Sequence, residues 1–191
     1  MTTITLDMNP TVQMTDEEFF QLCQEHRDYR FERSALGELT IMSPTGGETG
    51  NRNIKIAAQL EIWNEKYELG VTFDSSTGFK LPGGAERSPD ASWVRKERWN
   101  ALTAEQKEKF VPLCPDFVLE LLSPSDSKPK VRAKMLEYTK NKARLGWLID
   151  RKKKQVEIYR SDREVEILKS PNSLSGEDVL PGFVLDLKKI W

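Results

Sequence analysis

Residues 115 to 127 read PDFVLELLSPSDS, an apolar run broken by one glutamate and closed by a turn. Phe117, Val118, Leu119, Leu121 and Leu122 have the composition of a strand covered on both faces. Glu120 sits in the middle of them. Burying an ionised carboxylate without a partner costs on the order of several kcal/mol. A chain that buries this strand must therefore bring a partner to Glu120 from elsewhere in the fold.

The rest of the chain supplies the layers. TDEEFFQLC opens a helix, with Thr15 as cap and Glu18 at the capping-box position. YRFERSALGELTIMS reads as a hairpin turning near Leu36-Gly37, and PTGGETG as a loop. Residues 51–67 place Ile54, Ala57, Ala58, Leu60 (or Glu61) and Trp63 at helical spacing. Residues 71–94 supply three short strands, followed by a polar helical piece near 103–109 and the strand 115–122. In SPSDSKP either Ser127 or Asp126 stands where it would cap a helix of about 128–143. RLGWLID, QVEIYRS and EVEILKS are three consecutive strands, and SGEDVLPGFVLDLKKIW adds a turn and a short element. This order predicts an α/β chain, a mixed β-sheet flanked by helices, in a single domain over 1–191.

Composition removes several function classes. With 31% charged and 38% hydrophobic residues, no apolar run approaches the roughly 20 residues of a membrane span. MTTITLDMNPTVQMTDEEF has neither the basic start nor the apolar stretch of a signal peptide. Cys23 and Cys114 are the only cysteines and lie far apart, which predicts neither a disulfide framework nor a cysteine zinc site. The expected location is the reducing cytoplasm. His26 is the only histidine, so histidine pairs are excluded on counting, and a serine–histidine couple would have to rest on this one residue in a Glu-rich N-terminal helix. The GG pairs at 46–47 and 83–84 are too short for a phosphate-cradling loop.

The net charge of −1 conceals an asymmetry: residues 1–50 carry three Lys/Arg against nine Asp/Glu, and residues 128–154 carry eleven against two. Lys128, Lys130, Arg132 and Lys140 are candidates to follow a nucleic-acid backbone. RKKK at 151–154 falls in an expected hairpin turn and reads as solvated charge.

Alternation along the strand puts Asp116, Val118, Glu120 and Leu122 on one face, with the two carboxylates about 13 Å apart. They are too far apart to share one small ion. Asp116, at the strand start, reads as a turn residue. The better partner for Glu120 is Asp90 in RSPDASWV, a stretch with the same order of proline, aspartate and apolar strand. On neighbouring strands in a suitable register, the two would meet within about 5 Å. Carboxylates that close repel unless a cation holds them, and Mg²⁺ with one or two carboxylates and several waters suits the pair. The competing reading is that each aspartate after proline ends a turn, while Glu120 pairs with a lysine or arginine.

SPTGGETGNRN, GFKLPGGAERSPDASWV, PDFVLELLSPSDS followed by KMLEYTKN, LGWLID and LSGEDVLPGF, in this order, resemble the Uma family of restriction endonucleases. The resemblance implies the PD-(D/E)XK superfamily, with a restriction-endonuclease-like core and a metal-binding acidic cluster. It puts Asp90 and Glu120 in the places of the two motif acids, as ligands of Mg²⁺ with Mn²⁺ as a substitute. The motif lysine would fall at 122, where this chain has Leu122. The resemblance then suggests a migrated lysine, Lys134, with Tyr138 one turn on, and Glu48 as an additional acid from the first core helix. The function expected is metal-dependent endonucleolytic hydrolysis of phosphodiester bonds in nucleic acid, DNA first, by a protein that stays off membranes and forms a homodimer. The alternative is a non-catalytic nucleic-acid- or protein-binding domain that kept the fold after losing the lysine.

Overall fold

Phe117–Leu121 is a strand buried at all five positions, so it needs a neighbour on each edge and a layer on each face. The computed structural model, which describes residues 3–6 and 14–191, provides both. From the N-terminus the elements are β1 (Thr3–Leu6), α1 (Asp16–Glu25), β2 (Arg30–Arg33), β3 (Leu39–Met42) and α2 (Gly47–Tyr67). Next come β4 (Gly70–Asp74), β5 (Phe79–Lys80), β6 (Glu86–Arg87) and β7 (Ala91–Arg95). Two short helices, α3 (Lys96–Asn100) and α4 (Ala104–Glu108), precede β8 (Phe117–Leu121) and α5 (Lys128–Lys140). The chain closes with β9 (Leu145–Asp150), β10 (Gln155–Arg160), β11 (Arg163–Lys169), β12 (Ser173–Ser175), β13 (Val184–Asp186) and a 3₁₀ turn at Leu187–Lys189.

The central sheet has six strands in the order β11-β10-β9-β8-β7-β4. β8 pairs parallel with β9 and antiparallel with β7, so the sheet is mixed. A second sheet, β1-β3-β2-β6-β5, stands beside it, and β12 pairs with β13. Alternation divides β8 between two cores. Phe117, Leu119 and Leu121 pack with Ile56, Leu60 and Trp63 of α2 and with the C-terminal Phe183, Leu185 and Ile190. Val118 faces the other way, into a core with Met135 and Tyr138 of α5. Glu120 shares the parity of Val118 and so faces α5. That helix comes close because Gly146 of β9 has no side chain: a Cβ there would lie 2.6 Å from Met135 Cε.

Several local expectations need correction. The helix expected over 51–67 starts earlier, at Gly47, so PTGGETG is a loop only through Gly46. Its buried stripe is Ile56, Leu60 and Trp63, while Ile54 is exposed, because the C-terminal segment packs on one side of the helix only. Four strands rather than three occupy the stretch before residue 96, and α3 had no counterpart in the sequence pattern. The helix at 128 ends at Lys140 instead of near 143, where Lys142 turns to φ 77°. Ser127 holds its N-cap position without a side-chain bond, and Asp126 instead accepts from the Ser123 amide at 2.7 Å. The Thr15–Glu18 capping box and the hairpin turn, with Gly37 at φ 86°, form where the residues indicate. The stretch read for a signal peptide falls partly on residues 1, 2 and 7–13, outside the described residues. Among the described residues no helix is long and apolar enough to cross a membrane.

β4 closes the sheet edge through a contact that excludes any side chain at its first residue. A Cβ on Gly70 would lie 2.3 Å from the Val94 carbonyl oxygen and 2.4 Å from the Trp93 ring. Gly70→Ala should therefore lower stability to chemical denaturation by about 1–3 kcal/mol. Gly47→Ala, with nothing within 4 Å of the new atom, should leave the midpoint unchanged or slightly raised. Equal midpoints for the two variants would contradict this packing.

Candidate active site

β7 and β8 run antiparallel with Ala91 opposite Leu119 and Ser92 opposite Val118. One step further along this register puts Asp90 across from Glu120. Asp90 stands just before β7, where its Oδ2 accepts from the Leu121 amide at 2.8 Å and its Oδ1 from Asn53 Nδ2 at 3.0 Å. Glu120 is turned toward α5, where Tyr138 Oη donates to its Oε1 at 3.1 Å. Lys134, one turn before Tyr138, sets its Nζ 2.7 Å from Glu120 Oε1 and 2.7 Å from Glu32 Oε1. Leu122, at the position of the missing lysine, only packs at the margin of the α5-side core.

Glu32 is the site residue that the sequence reading missed. It lies on β2 of the second sheet and accepts from the Ser88 amide at 3.0 Å, from Arg87 Nη1 at 3.3 Å and from Lys134. Arg87 in turn gives its Nε to Glu137 of α5 at 2.6 Å. Its only sequence signal was a charge between Phe31 and Arg33 in a hairpin strand, and no spacing ties that charge to residues 90 or 120. Asn53 was missed for the same reason.

The electrostatics follow from burial and neighbours. Burial pushes Glu120 up to about 7; Lys134 pulls it down, and the nearby Asp90 and Glu32 charges add to the rise. Burial also raises Asp90, against the Leu121 amide, Lys134, Arg30 and Asn53. Glu32 is buried too, but Lys134 and Arg87 outweigh that and bring it down to about 2. Burial works against the Lys134 charge, and Glu120 and Glu32 more than offset it, so its pKa stands above the ordinary lysine value. Burial and the same carboxylates keep the Tyr138 phenol protonated.

A cavity of about 650 Å³ opens on Asp90, Glu120 and Lys134, between the β2–β3 hairpin and the first turns of α5. Among the described residues no group of three or more Asp, Glu, His or Cys forms a metal cage. A cation here would rest on two carboxylates and complete its shell with waters. The donor set fits a hard cation such as Mg²⁺. Burial holds the pKa of both carboxylates above the ordinary value, and the buried side-chain oxygen of Asn53, lining the same cavity, has no donor.

Other expected residues lie elsewhere. Asp116 is buried at the start of β8, accepting from the Arg95 amide at 2.9 Å and pairing with Arg98 at 3.0 Å, outside the cavity. Glu48 is exposed and paired with Arg52; Thr49 and Asn53 of the same helix face the cavity instead. Of the basic residues read as a phosphate-following face, Lys128 is taken up by Asp150 and Glu157, at 3.1 and 2.9 Å. Arg132 is taken up by Glu157 at 2.7 Å. Lys130 lines the cavity, Lys140 is exposed away from its lining, and RKKK forms the turn between β9 and β10.

Comparison with known proteins adds a family and a fold. A family model described as "Putative restriction endonuclease" (Uma2) matches residues 16–188. The structure is similar to a solved protein from Anabaena variabilis described as a "putative nuclease belonging to DUF820". The TM-score is 0.71 at 19% identity, over 98% of this chain and 97% of that one. At that identity the likeness is one of fold. No curated protein matches the sequence.

The raised Glu120 has a consequence for stability. The folded protein keeps a proton on this group from its ordinary 4.5 up to about 7, where the unfolded chain has lost it. This group's contribution to stability is therefore complete below that window and is lost as pH rises through it. Glu120→Gln removes the ionisation. In cation-free buffer, the melting temperature of the variant minus that of the parent should be more positive at pH 8 than at pH 5. The same difference at both pH values would show that Glu120 ionises at its ordinary value.

Proposed function

The chain belongs to the Uma2 family ("Putative restriction endonuclease"), and on that premise we propose that it is a metal-dependent nuclease hydrolysing phosphodiester bonds of nucleic acid, DNA first. The observation that supports this reading is the meeting of Asp90, Glu120 and Lys134 at one cavity. They come from a strand start, a strand interior and a helix. Asp90 and Glu120 are the ligands for Mg²⁺, with Mn²⁺ as a substitute. Bound there, the ion would polarise a phosphoryl oxygen and lower the pKa of a bound water.

The chain's own groups have separable tasks. Lys134 remains an ammonium at neutral pH, so it is a donor and a charge rather than a general base. Its task is to orient the attacking water or to stabilise the charge that develops on the phosphoryl oxygens. Tyr138 holds Glu120 in one orientation by donating to it. Glu32, itself held by Arg87 and the Ser88 amide, keeps the Lys134 ammonium at the carboxylate pair. A lysine on the strand would need none of these ties; one reaching from a helix does.

Calorimetric titration with Mn²⁺ and cleavage of DNA and RNA in Mg²⁺ test the proposal together. Asp90→Ala and Glu120→Ala should lose both cation binding and cleavage. Lys134→Ala should bind the cation and cleave at least about 10²-fold more slowly. Cleavage by Lys134→Ala at the parental rate would remove this lysine from the mechanism. A parent that binds the cation through Asp90 yet cleaves neither DNA nor RNA would be the non-catalytic binding domain.

A further inference from the structure

RKKK at 151–154 reads in isolation as solvated charge, but the fold gives it neighbours that its own residues do not indicate. β8 and β9 run parallel, with Leu121 opposite Ile149, so both strands end on the same side of the sheet. β8 leads there into Ser123, Ser125 and Ser127, which line the cavity. β9 leads into the basic turn. The Leu122 amide still donates to the Ile149 carbonyl at 2.9 Å, so the two exits leave side by side. The first turn of α5 stands at the same end, with Lys128 Nζ 3.1 Å from Asp150. So does the first turn of α2, where Arg151 Nη1 comes 3.9 Å from Glu48. The basic turn is thus part of the rim around the cavity mouth. At strand spacing, the Arg151 Cα stands about 11 Å from that of Glu120. That span is a few base-pair steps at about 3.4 Å each.

Positive charge on this rim is left unmatched. Lys152, Lys153 and Lys154 are exposed and, among the described residues, make no ion pair. The Arg151 side chain is only 18% exposed, and its Nε is buried with no acceptor. The carboxylate it approaches, Glu48, already pairs with Arg52. Burial and the Arg52 charge hold the Arg151 pKa below the ordinary arginine value, with Glu48 opposing them. Solvation accounts for the three lysines but not for a guanidinium kept from water without an acceptor. An incoming anion would relieve it, and its planar fork suits a phosphate. We propose that the nucleic-acid backbone whose scissile phosphate enters the cavity runs out over the β9–β10 turn, with Arg151, Lys152, Lys153 and Lys154 on its phosphates; this rests on the nuclease reading of the same site. Contacts to phosphate alone position the substrate without reading its sequence.

Fluorescence anisotropy with a labelled DNA duplex, in Ca²⁺ to hold back chemistry, tests the assignment. Each phosphate contact adds about 0.9 to the slope of log affinity against log salt. The triple variant Lys152→Gln/Lys153→Gln/Lys154→Gln changes exposed positions only. It should lower the slope by about 2 and weaken binding about tenfold or more at physiological salt. Arg151→Gln should lose about 0.9 of the slope, and Arg151→Lys should keep it. Lys66→Gln, which removes one exposed charge at the far end of α2, should bind like the parent. Mn²⁺ binding by calorimetry should stay parental in the triple variant. Parental slope and affinity in that variant would overturn the assignment, as would an equal loss per charge in Lys66→Gln or no duplex bound by the parent at low salt. Loss of slope together with loss of Mn²⁺ binding would also overturn it, by placing the turn in the fold of the site rather than on the substrate. Duplex binding that depends on the turn in a protein that cleaves nothing in Mg²⁺ would sink the nuclease reading and leave this one standing. Cleavage in Mg²⁺ with a parental slope in the triple variant would do the reverse.

Discussion

One contact governs the structure: the Lys134 ammonium, 2.7 Å from the carboxylate of Glu120. A strand buried at every position carries a charge at its centre, and the fold is arranged so that a second charge arrives from a helix. Removing one partner of such a pair is strongly destabilising, because the other is left buried and unpaired. The positive charge is also in short supply. Lys134 is shared with Glu32, and Asp90 stands across from Glu120 with amide donors but no ion pair.

Holding Lys134 in place involves most of the molecule. α5 must lie close to the sheet, which the absence of a side chain at Gly146 permits. Its first turns are pinned to β9 and β10 by Lys128 and Arg132, which converge on Asp150 and Glu157. Its other flank is tied through Glu137 and Arg87 to the second sheet. The basic residues that look like a phosphate-facing surface in the sequence are thus partly a clamp for α5. The second sheet contributes Glu32 and Arg30 and forms one wall of the cavity.

Much of this was legible in the chain itself. The apolar run around Glu120 predicted a strand covered on both faces, and the shared proline–aspartate pattern before two strands pointed to Asp90. The strand reading worked because alternation and burial are local properties, written in neighbouring residues, whereas the charge that meets Glu120 is that of Lys134, the lysine pairing that the sequence offered as the competing reading. The helix over 51–67 was recognisable from its spacing, but its buried face was not. Ile54 and Ile56 are equally apolar, and only the packing of the C-terminal segment selects Ile56.

The sequence by itself determined that a carboxylate would be buried at 120, that its strand would be interior, and that no cation within the strand could meet it. Tertiary structure decided what would. The antiparallel register of β7 on β8 put Asp90 across from Glu120, and the path through residues 122–127 delivered α5 so that Lys134 reached back. It also enlisted Glu32, some hundred residues away from Lys134 (|i−j| = 102), and turned Glu48 out to solvent although its helix borders the site. Pairings of this range depend on which surfaces meet when the layers close, whereas sequence periodicity records only which face of each element is apolar.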